Sequence, residues 1–438
     1  MALGGGFSSV VHCMFFDYLF GVLRVYDPAT GLVFYVAFDD SDPNVFGIFV
    51  PACMVVFGWS TGPQSRHFAR LAARPSLILA ALQSYVLNAC EALPHWLSSA
   101  PLTTGHFLWP SDRAHLGHYI WNEMTGLEKI VQSTPAERCI NVWQLCHTGR
   151  TDFYGSVEDL YPELAGRINR SIGSLNELSE HSQRSGTQFV KVSGGYVTAA
   201  ISKRVTASLQ KDPNIRLVAE LSNSFIPLDV PILLLGLRCG TRTLVDGTTF
   251  YCKLIDLIHA KLGRFAVVID GLNASPGAPL GESFRVLATS KTITDPLLAE
   301  QEIASMIQAH CSSRGMTAVN CVGTSMKIDL HWIRRACFFV APWGGGYAKY
   351  RWIMNIPGYA LTNAHNLREP FILSIYHSEQ FMEAGTPLYY PDPAWITDID
   401  NQAPAGAQSD ASFIVDDVVI DDIAKHFLHH AATLPKLQ

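Results

Sequence analysis

Short apolar runs alternate with amphipathic segments from about residue 226 to residue 365, and this alternation constrains the fold more than any other feature. Three of the runs read ILLLGL (232–237), FAVVID (265–270) and CFFVA (337–341). They are too short for buried helices and lack polar alternation, which is typical of parallel strands covered on both faces. Between them, the amphipathic segments predict helices at 249–262, 300–312 and 327–335. The pattern predicts an α/β domain with a Rossmann-like parallel sheet.

The N-terminal half has a less regular pattern. Short β-rich runs between residues 20 and 60 are separated by turn residues and predict a β meander. Helices are expected at 65–93 and 115–132, and strands at 107–109 and 141–146. A chain of 438 residues is expected to form about two domains. We therefore predict three parts: an N-terminal α/β domain, a C-terminal Rossmann-like domain, and a tail with a final helix, at 1–225, 226–390 and 391–438.

The overall composition narrows the class of protein. Charged residues make up 16% of the chain, below the ~25% of typical soluble proteins, which would suit a homo-oligomer interface or a face that lies against a membrane. The net charge of −6 argues against nucleic-acid binding. The ten cysteines are scattered without CxxC pairs, and neither a signal peptide nor a long apolar span is recognisable. These features predict a cytoplasmic protein that could associate peripherally with a membrane.

Two arginines follow the first buried run, in the segment RCGTR (238–242). Guanidinium groups bind phosphate oxygens through paired hydrogen bonds, and the glycine between Arg238 and Arg242 allows a tight loop. Ligands of open α/β sheets bind beyond the carboxyl ends of the strands. We therefore predict that this loop binds phosphate. Two surface arginines on an ordinary loop are the alternative.

A glycine-rich segment follows the third run and reads WGGGYAK (343–349). Its glycines would let backbone amides approach a ligand closely, and the helix expected at about 350–354 would add its N-terminal partial charge. Lys349 and Arg351 could then reach an anion. Asp270, at the end of the second run, is a further candidate for ligand contact. A turn without a ligand is the alternative for the glycines, and turn capping is the alternative for Asp270. The donor-binding candidates of this segment are Gly344, Gly345, Gly346, Tyr347 and Lys349.

Two histidines mark the helix predicted at 115–132. On an α-helical wheel, His115, His118 and Asn122 share the face opposite the apolar stripe, and Glu123 lies beside it. A histidine is the usual side chain for taking a proton from a hydroxyl group near neutral pH. The polar face therefore predicts a general base, with two surface histidines as the alternative. No metal site is predicted, because no third ligand accompanies the histidines and the Asp398-Ile399-Asp400 triplet lies in the tail.

These segments resemble the family 61 glycosyltransferases, which have a GHWLxD/E-type helix in the first domain and a GAGLxN-type loop in the second. GHYI (117–120) is similar to the first motif and GGGYAK (344–349) to the second. Two positions depart from the family pattern. Asn122 stands where the family tends to have a carboxylate, with Glu123 next to it, and Lys349 stands where the family has asparagine.

The resemblance implies a glycosyltransferase of the GT-B type, with two Rossmann-like domains that face a central cleft. It would move a sugar from a nucleotide-sugar donor to a hydroxyl of a carbohydrate or glycolipid acceptor, without metal or other cofactor, as in bacterial surface polysaccharide synthesis. His118 or Glu123 would deprotonate the acceptor. Arg238, Arg242, Lys349 and the glycine amides would stabilise the leaving diphosphate. Asp270 would contact the ribose or the base.

Two other functions fit the same sequence. The first is a pyruvyl transferase that uses the same anion-binding loops for a different donor. The second is a nucleotide- or sugar-binding protein without catalysis, in which both histidines are structural. A binding protein would tolerate the loss of His118, whereas an enzyme that uses it as a general base would lose turnover.

Overall fold

The computed structural model describes most of the C-terminal half of the chain and parts of the N-terminal half. The described residues are 10–17, 20–27, 32–39, 42–50, 55–60, 106–110, 116–132, 143–147, 152–172, 177, 188–192, 195–273, 296–399 and 408–433. The chain forms two compact units. The first consists of Met1–Asp112, Asn122–Arg150 and Pro162–Gly194, and the second of Arg113–Trp121, Thr151–Tyr161 and Gly195–Gln438.

The first unit begins with an antiparallel meander, in which each strand pairs with its neighbour in sequence. Its strands are β1 (Val10–Asp17), β2 (Phe20–Asp27), β3 (Leu32–Asp39), β4 (Asp42–Val50) and β5 (Val55–Ser60). The predicted meander is confirmed, and it starts one strand earlier than expected. The helix predicted at 65–93 lies outside the described residues.

A parallel sheet forms the rest of the first unit. Its strands, in the spatial order β8-β7-β6-β9, are β6 (His106–Pro110), β7 (Trp143–Cys146), β8 (Ile168–Asn169) and β9 (Gln188–Val192). All of the pairings between these strands are parallel. The strands predicted at 107–109 and 141–146 are confirmed.

The helix predicted at 115–132 is interrupted. An α-helical turn, Leu116–His118, leads into a π-helix, Tyr119–Met124, and then into α1 (Thr125–Gln132). A π-helix closes i→i+5 hydrogen bonds, so side chains beyond it leave the positions that an α-helical wheel assigns. The apolar stripe of the predicted helix is buried at Ile120, Met124 and Leu127, as expected. The prediction is wrong only in that the helix is not α-helical throughout.

The second unit contains a parallel sheet with the spatial order β12-β11-β10-β13-β14-β15. Its strands are β10 (Ile232–Gly236), β11 (Ala266–Asp270), β12 (Ala318–Asn320), β13 (Phe338–Pro342), β14 (Gly358–Leu361) and β15 (Leu388–Tyr389). Every residue of β10, β11 and β13 is buried, as expected for strands with layers on both faces. The strands predicted from the three apolar runs are confirmed.

Helices separate these strands along the chain. Those of the second unit are α2 (Val157–Leu160), α3 (Ala199–Lys211), α4 (Pro213–Phe225), α5 (Gly247–Leu262), α6 (Pro296–Ser313), α7 (Met326–Arg335), α8 (Ala364–Leu367), α9 (Pro370–Ser374) and α10 (Val418–Ala432). A second π-helix, Ala348–Ile353, follows the glycine-rich segment where an α-helix was predicted. None of the described helices is long and apolar enough to cross a membrane.

The tail contains more structure than predicted. Strands β16 (Ile396–Asp398) and β17 (Phe413–Val415) form an antiparallel ribbon, and α10 packs into the core of the second unit through Phe427 and Ile423. The predicted fold class is confirmed: the chain is α/β, with a parallel sheet in each unit and a β-rich N-terminal segment.

Candidate functional site

The strand order of the second sheet contains a point at which the chain reverses its direction of winding. From β10 the chain builds outward through β11 to β12, and it then returns to β13 on the other side of β10. Helices on either side of such a point leave a crevice beyond the carboxyl ends of the two central strands, and ligands bind there. The relevant loops are those that follow Gly236 and Pro342.

The loop after β10 carries the two predicted arginines. Arg238 folds back over its own loop, where its Nε donates to the Thr241 carbonyl (2.7 Å) and its Nη2 to the Thr241 hydroxyl (2.8 Å). Gly240 and Arg242 have φ values of +108° and +54°. A left-handed conformation is uncommon for arginine, and such strained residues cluster at ligand-binding sites.

The loop after β13 is the predicted glycine segment. Its carbonyls accept from the amides three residues ahead: Tyr347 donates to Gly344 (3.1 Å) and Lys349 to Gly346 (3.0 Å). Within the described part of the chain, no hydrogen bond is made by the amides of Gly344, Gly345 and Gly346. Gly345 and Gly346 are partly exposed, whereas the residues on either side are buried. The loop can thus offer backbone N–H groups to an anion at the surface.

The structure brings these two loops together. A Cβ atom built on Gly344 would overlap the Arg238 guanidinium, so only glycine leaves room for the arginine in this conformation. Tyr376 closes the other side, where its hydroxyl donates to the Gly344 carbonyl (3.2 Å). A guanidinium group therefore lies against the glycine loop at the reversal point of the sheet. We call Arg238, Arg242, Gly344, Gly345 and Gly346 the anion cluster.

The anion cluster is positively charged. Desolvation and the neighbouring Arg242 lower the pKa of Arg238 to about 10, which leaves it protonated at neutral pH. The Arg242 Nε lies 3.5 Å from the Asp410 carboxylate, in a pair that is partly exposed. Repulsion between two guanidinium groups on one short loop would be relieved by an anion bound between them.

Lys349, which was predicted to contact a ligand, lies in a buried ionic network. Its ammonium is 2.7 Å from Asp270 and 2.6 Å from Asp329, and all three side chains are at most 1% exposed. Asn273 accepts a further hydrogen bond from it (3.0 Å), and Tyr350 donates to Asp270. Burial alone would lower the pKa of Lys349, but the two carboxylates outweigh this effect and raise it above its ordinary value.

This network uses the side chains that were predicted to bind the donor. The Lys349 ammonium donates a hydrogen bond to the Asp270 carboxylate, and the buried Tyr347 hydroxyl donates one to the Ala341 carbonyl. Arg351 is also buried and donates to backbone carbonyls, among them that of Ile356 (2.6 Å). Donor contacts by Asp270, Tyr347 and Lys349 stay predictions. In this structure, the charge that faces the glycine loop belongs to Arg238.

The predicted general base lies at the first π-helix. His118 belongs to the second unit and is partly exposed, with its ring stacked against Trp121 (6.4 Å between centroids). Asn122, partly exposed, and Glu123, buried, belong to the first unit. His115 lies outside the described residues. Trp121 also packs against Trp352 of the second π-helix (6.0 Å).

Three residues of this region were not predicted. Asp329 lies in the first turn of α7, Glu300 lies within α6, and Tyr376 follows α9. Glu300 is buried and accepts hydrogen bonds from the amides of Cys239 (3.1 Å) and Leu272 (2.7 Å). Each of the three is a single polar residue within an otherwise ordinary segment, so no local motif could have identified it.

A cavity of about 390 Å³ lies at the opposite edge of the same sheet. Val230, Phe265 and Thr317 line it, and each precedes one of three neighbouring strands. The cavity therefore lies at the amino ends of the strands, away from the anion cluster. No group of three His, Cys, Asp or Glu side chains that could hold a metal ion occurs among the residues that the structure describes.

No family model matches this chain, and no curated protein matches its sequence. Among solved structures, it is similar to a family 9 glycosyl transferase from Veillonella parvula DSM 2008, with 10% identity, a TM-score of 0.41, and coverage of 74% of this chain and 97% of that one. It is also similar to the E. coli ADP-heptose LPS heptosyltransferase II (10% identity, TM-score 0.36, coverage 74% and 99%). A third similar structure is a UDP-GlcNAc 2-epimerase from Neisseria meningitidis (11% identity, TM-score 0.27, coverage 62% and 85%).

Proposed function

We propose that this chain is a glycosyltransferase that moves a sugar from a nucleotide-sugar donor to an acceptor hydroxyl. The observation that carries the proposal is the contact between Arg238 and Gly344 at the reversal point of a Rossmann-like sheet. Nucleotide ligands of such sheets bind at this point with their phosphates against glycine loops. The resemblance to family 61 motifs adds the transfer of a sugar as the reaction.

In this proposal, the anion cluster holds the diphosphate of the donor. Negative charge grows on the leaving diphosphate as the glycosidic bond breaks, and fixed positive groups stabilise it most at that stage. Arg238 and Arg242 supply two full charges, and the amides of Gly344, Gly345 and Gly346 supply further donors. Such a set can support leaving-group departure without a metal ion.

His118 or Glu123 would take the proton from the acceptor hydroxyl, with Asn122 and His115 beside them. The partly exposed imidazole of His118 suits this role, because a general base must reach its substrate. The acceptor would be a carbohydrate or a glycolipid, for example in bacterial surface polysaccharide synthesis. We propose that the reaction takes place in the cytoplasm. Association of the protein with a membrane surface and a homo-oligomeric state are further parts of the proposal.

A ligand screen by thermal unfolding tests the proposal. The full chain would be heated with UDP, GDP, ADP, CMP, dTDP, their sugar conjugates and phosphoenolpyruvate, each with and without EDTA. A nucleotide at 100 times its Kd stabilises the protein by about 2.7 kcal/mol, or roughly 3–5 °C in Tm for a protein of this size. We expect such a shift, unchanged by EDTA, for one class of nucleotide. Arg238→Ala should reduce the shift by at least about half, since a tenfold weaker Kd halves the stabilisation, whereas Arg264→Ala, at the amino edge of the sheet, should keep it.

Each of the other results has a different meaning. A shift with phosphoenolpyruvate alone would favour a pyruvyl transferase on the same scaffold. A nucleotide shift that EDTA removes would refute metal independence. The absence of any shift, or an undiminished shift in Arg238→Ala, would refute the assignment of the anion cluster as the donor site.

A further inference from the structure

Glu300 joins the loops that follow two neighbouring strands. It lies on α6 and is only 1% exposed. Its Oε1 accepts from the Cys239 amide (3.1 Å), in the arginine loop after β10, and its Oε2 accepts from the Leu272 amide (2.7 Å), in the loop after β11. A Cβ atom on Gly271 would come within 2.5 Å of Oε2, so a larger residue there would displace the carboxylate.

The position of these two amides explains why the carboxylate matters. Cys239 directly follows Arg238 and precedes Gly240, which has a positive φ. Its amide therefore sets the direction in which the arginine loop leaves the strand. Two N–H donors need two acceptor oxygens, and an ionised carboxylate supplies both. A glutamine would turn its NH₂ group toward one of the amides and leave that donor unpaired.

We propose that Glu300 is a positioning residue for the anion cluster: its ionised carboxylate holds the Arg238 loop in the ligand-binding conformation, and its protonation releases the loop. This inference rests on the proposed function, since it concerns the regulation of the same site. Glu300 does not need to touch the ligand, because it acts through the backbone that carries Arg238.

The groups around Glu300 place its titration near neutral pH. Burial raises its pKa from 4.5 to about 7; the two amide hydrogen bonds and Lys349 act in the opposite direction, and Asp270 adds to the increase. Arg238 and the Cys239 thiol face it from the arginine loop. Below pH 7 the carboxyl group is mostly protonated, and one of the two amides then loses its acceptor.

Protonation has a second, opposite effect. It removes a negative charge close to Arg238, and by electrostatics alone this would strengthen the binding of an anion. The two effects predict opposite slopes of affinity against pH. If positioning dominates, the affinity falls as the pH is lowered through 7. If Glu300 acts only as a charge, the affinity rises.

The probes for this test are ADP-glucose and UDP-glucose, whose diphosphate diesters keep the same charge between pH 6 and pH 8. Calorimetric titration of the full chain should show about tenfold weaker binding at pH 6 than at pH 8, since about a tenth of the carboxylate remains one unit below its pKa. Glu300→Gln should bind at least tenfold more weakly at pH 8 and lose the pH dependence. Glu302→Gln, an exposed neighbour on the same helix, should match the wild type.

Hydrogen exchange of the ligand-free protein tests the loop itself. Amides at 237–243 and 271–273 should exchange faster in Glu300→Gln than in the wild type or Glu302→Gln. Equal exchange, or wild-type affinity that rises or stays constant toward pH 6, would overturn the inference. The wild-type pH profile needs no variant to fold. If neither probe binds the wild type, the proposed donor site is in question, while the exchange rates still decide the role of Glu300.

Discussion

Replacing Gly344 by alanine tests the anion cluster at its tightest contact. The new Cβ atom would overlap the Arg238 guanidinium, which is the far end of a flexible side chain. The side chain can therefore swing away while the backbone stays in place. The arginine would lose its two hydrogen bonds to Thr241, and we expect the free energy of unfolding to fall by only about 1 kcal/mol.

Ligand binding should suffer far more than stability. A displaced Arg238 loses its charged hydrogen bonds to the ligand, which contribute about 1.5–3 kcal/mol. The affinity for the nucleotide identified in the thermal screen should then fall about 10- to 100-fold. Gly247→Ala is the matched control, because this glycine lies outside the anion cluster and its Cβ atom would meet only the Leu244 side chain at 3.7 Å or more, an ordinary contact.

Calorimetric titration of the two alanine variants, with urea unfolding of each, measures both quantities. Equal affinities for the two variants would refute the idea that Arg238 binds the ligand from its place against Gly344. A large loss of stability in Gly344→Ala would show that the loop cannot yield, and the affinity change would then report on folding.

Two further predictions concern the buried network and the general base. Lys349→Met leaves two buried carboxylates without their cation and should lower the free energy of unfolding, measured in urea, by about 3–5 kcal/mol. Lys253→Met removes only an exposed pair with Asp417 and should lower the free energy of unfolding by less than about 1 kcal/mol. Similar losses for the two variants would contradict the role given to Lys349. His118→Ala should lower turnover about 10²- to 10⁴-fold with little change in donor affinity. His429→Ala is the control and should leave turnover unchanged. Full turnover of the His118 variant would show that this residue is not the general base.

The sheet of the second unit could be predicted because its sequence signal is strong. The strands expected at 232–237 and 265–270 and the helix expected at 249–262 match the observed bounds to within two residues. A strand buried on both faces must be apolar at every position, and few other elements of that length have this pattern. The N-terminal meander could be predicted for a different reason: its turn residues separate short β-rich runs.

The two loops of the anion cluster could be predicted singly, but their contact could not. Both follow buried strands, and that placement marks a ligand-binding edge in any parallel sheet. Whether β10 and β13 are neighbours depends on the crossover of the chain, which leaves no mark in the local sequence. Arg238 and Gly344 are more than 100 residues apart, so their proximity emerges only from the strand order.

The two π-helices show where a regular pattern misleads. The pattern at 115–132 predicted one continuous α-helix, but Tyr119–Met124 is a π-helix, although the predicted apolar residues Ile120, Met124 and Leu127 are buried as expected. The two helical forms differ in their hydrogen bonds, which close i→i+4 in an α-helix and i→i+5 in a π-helix. The choice between them depends on packing, such as that of Trp121 against Trp352, which no local window of sequence contains.

Lys349 illustrates how tertiary contacts set the surroundings of a side chain that the local sequence places at a ligand-binding edge. A lysine just after three glycines was expected to face an anion, because the segment lies at a ligand-binding edge. In the structure, its ammonium is held instead by the carboxylates of Asp270 and Asp329. An ionised carboxylate buried without a cation is strongly destabilising, so Asp270 and Asp329 depend on the lysine that pairs with them. In the proposed reaction, Arg238 and Arg242 therefore supply the fixed positive charge beside the glycine loop, and a donor contact by Lys349 stays a prediction.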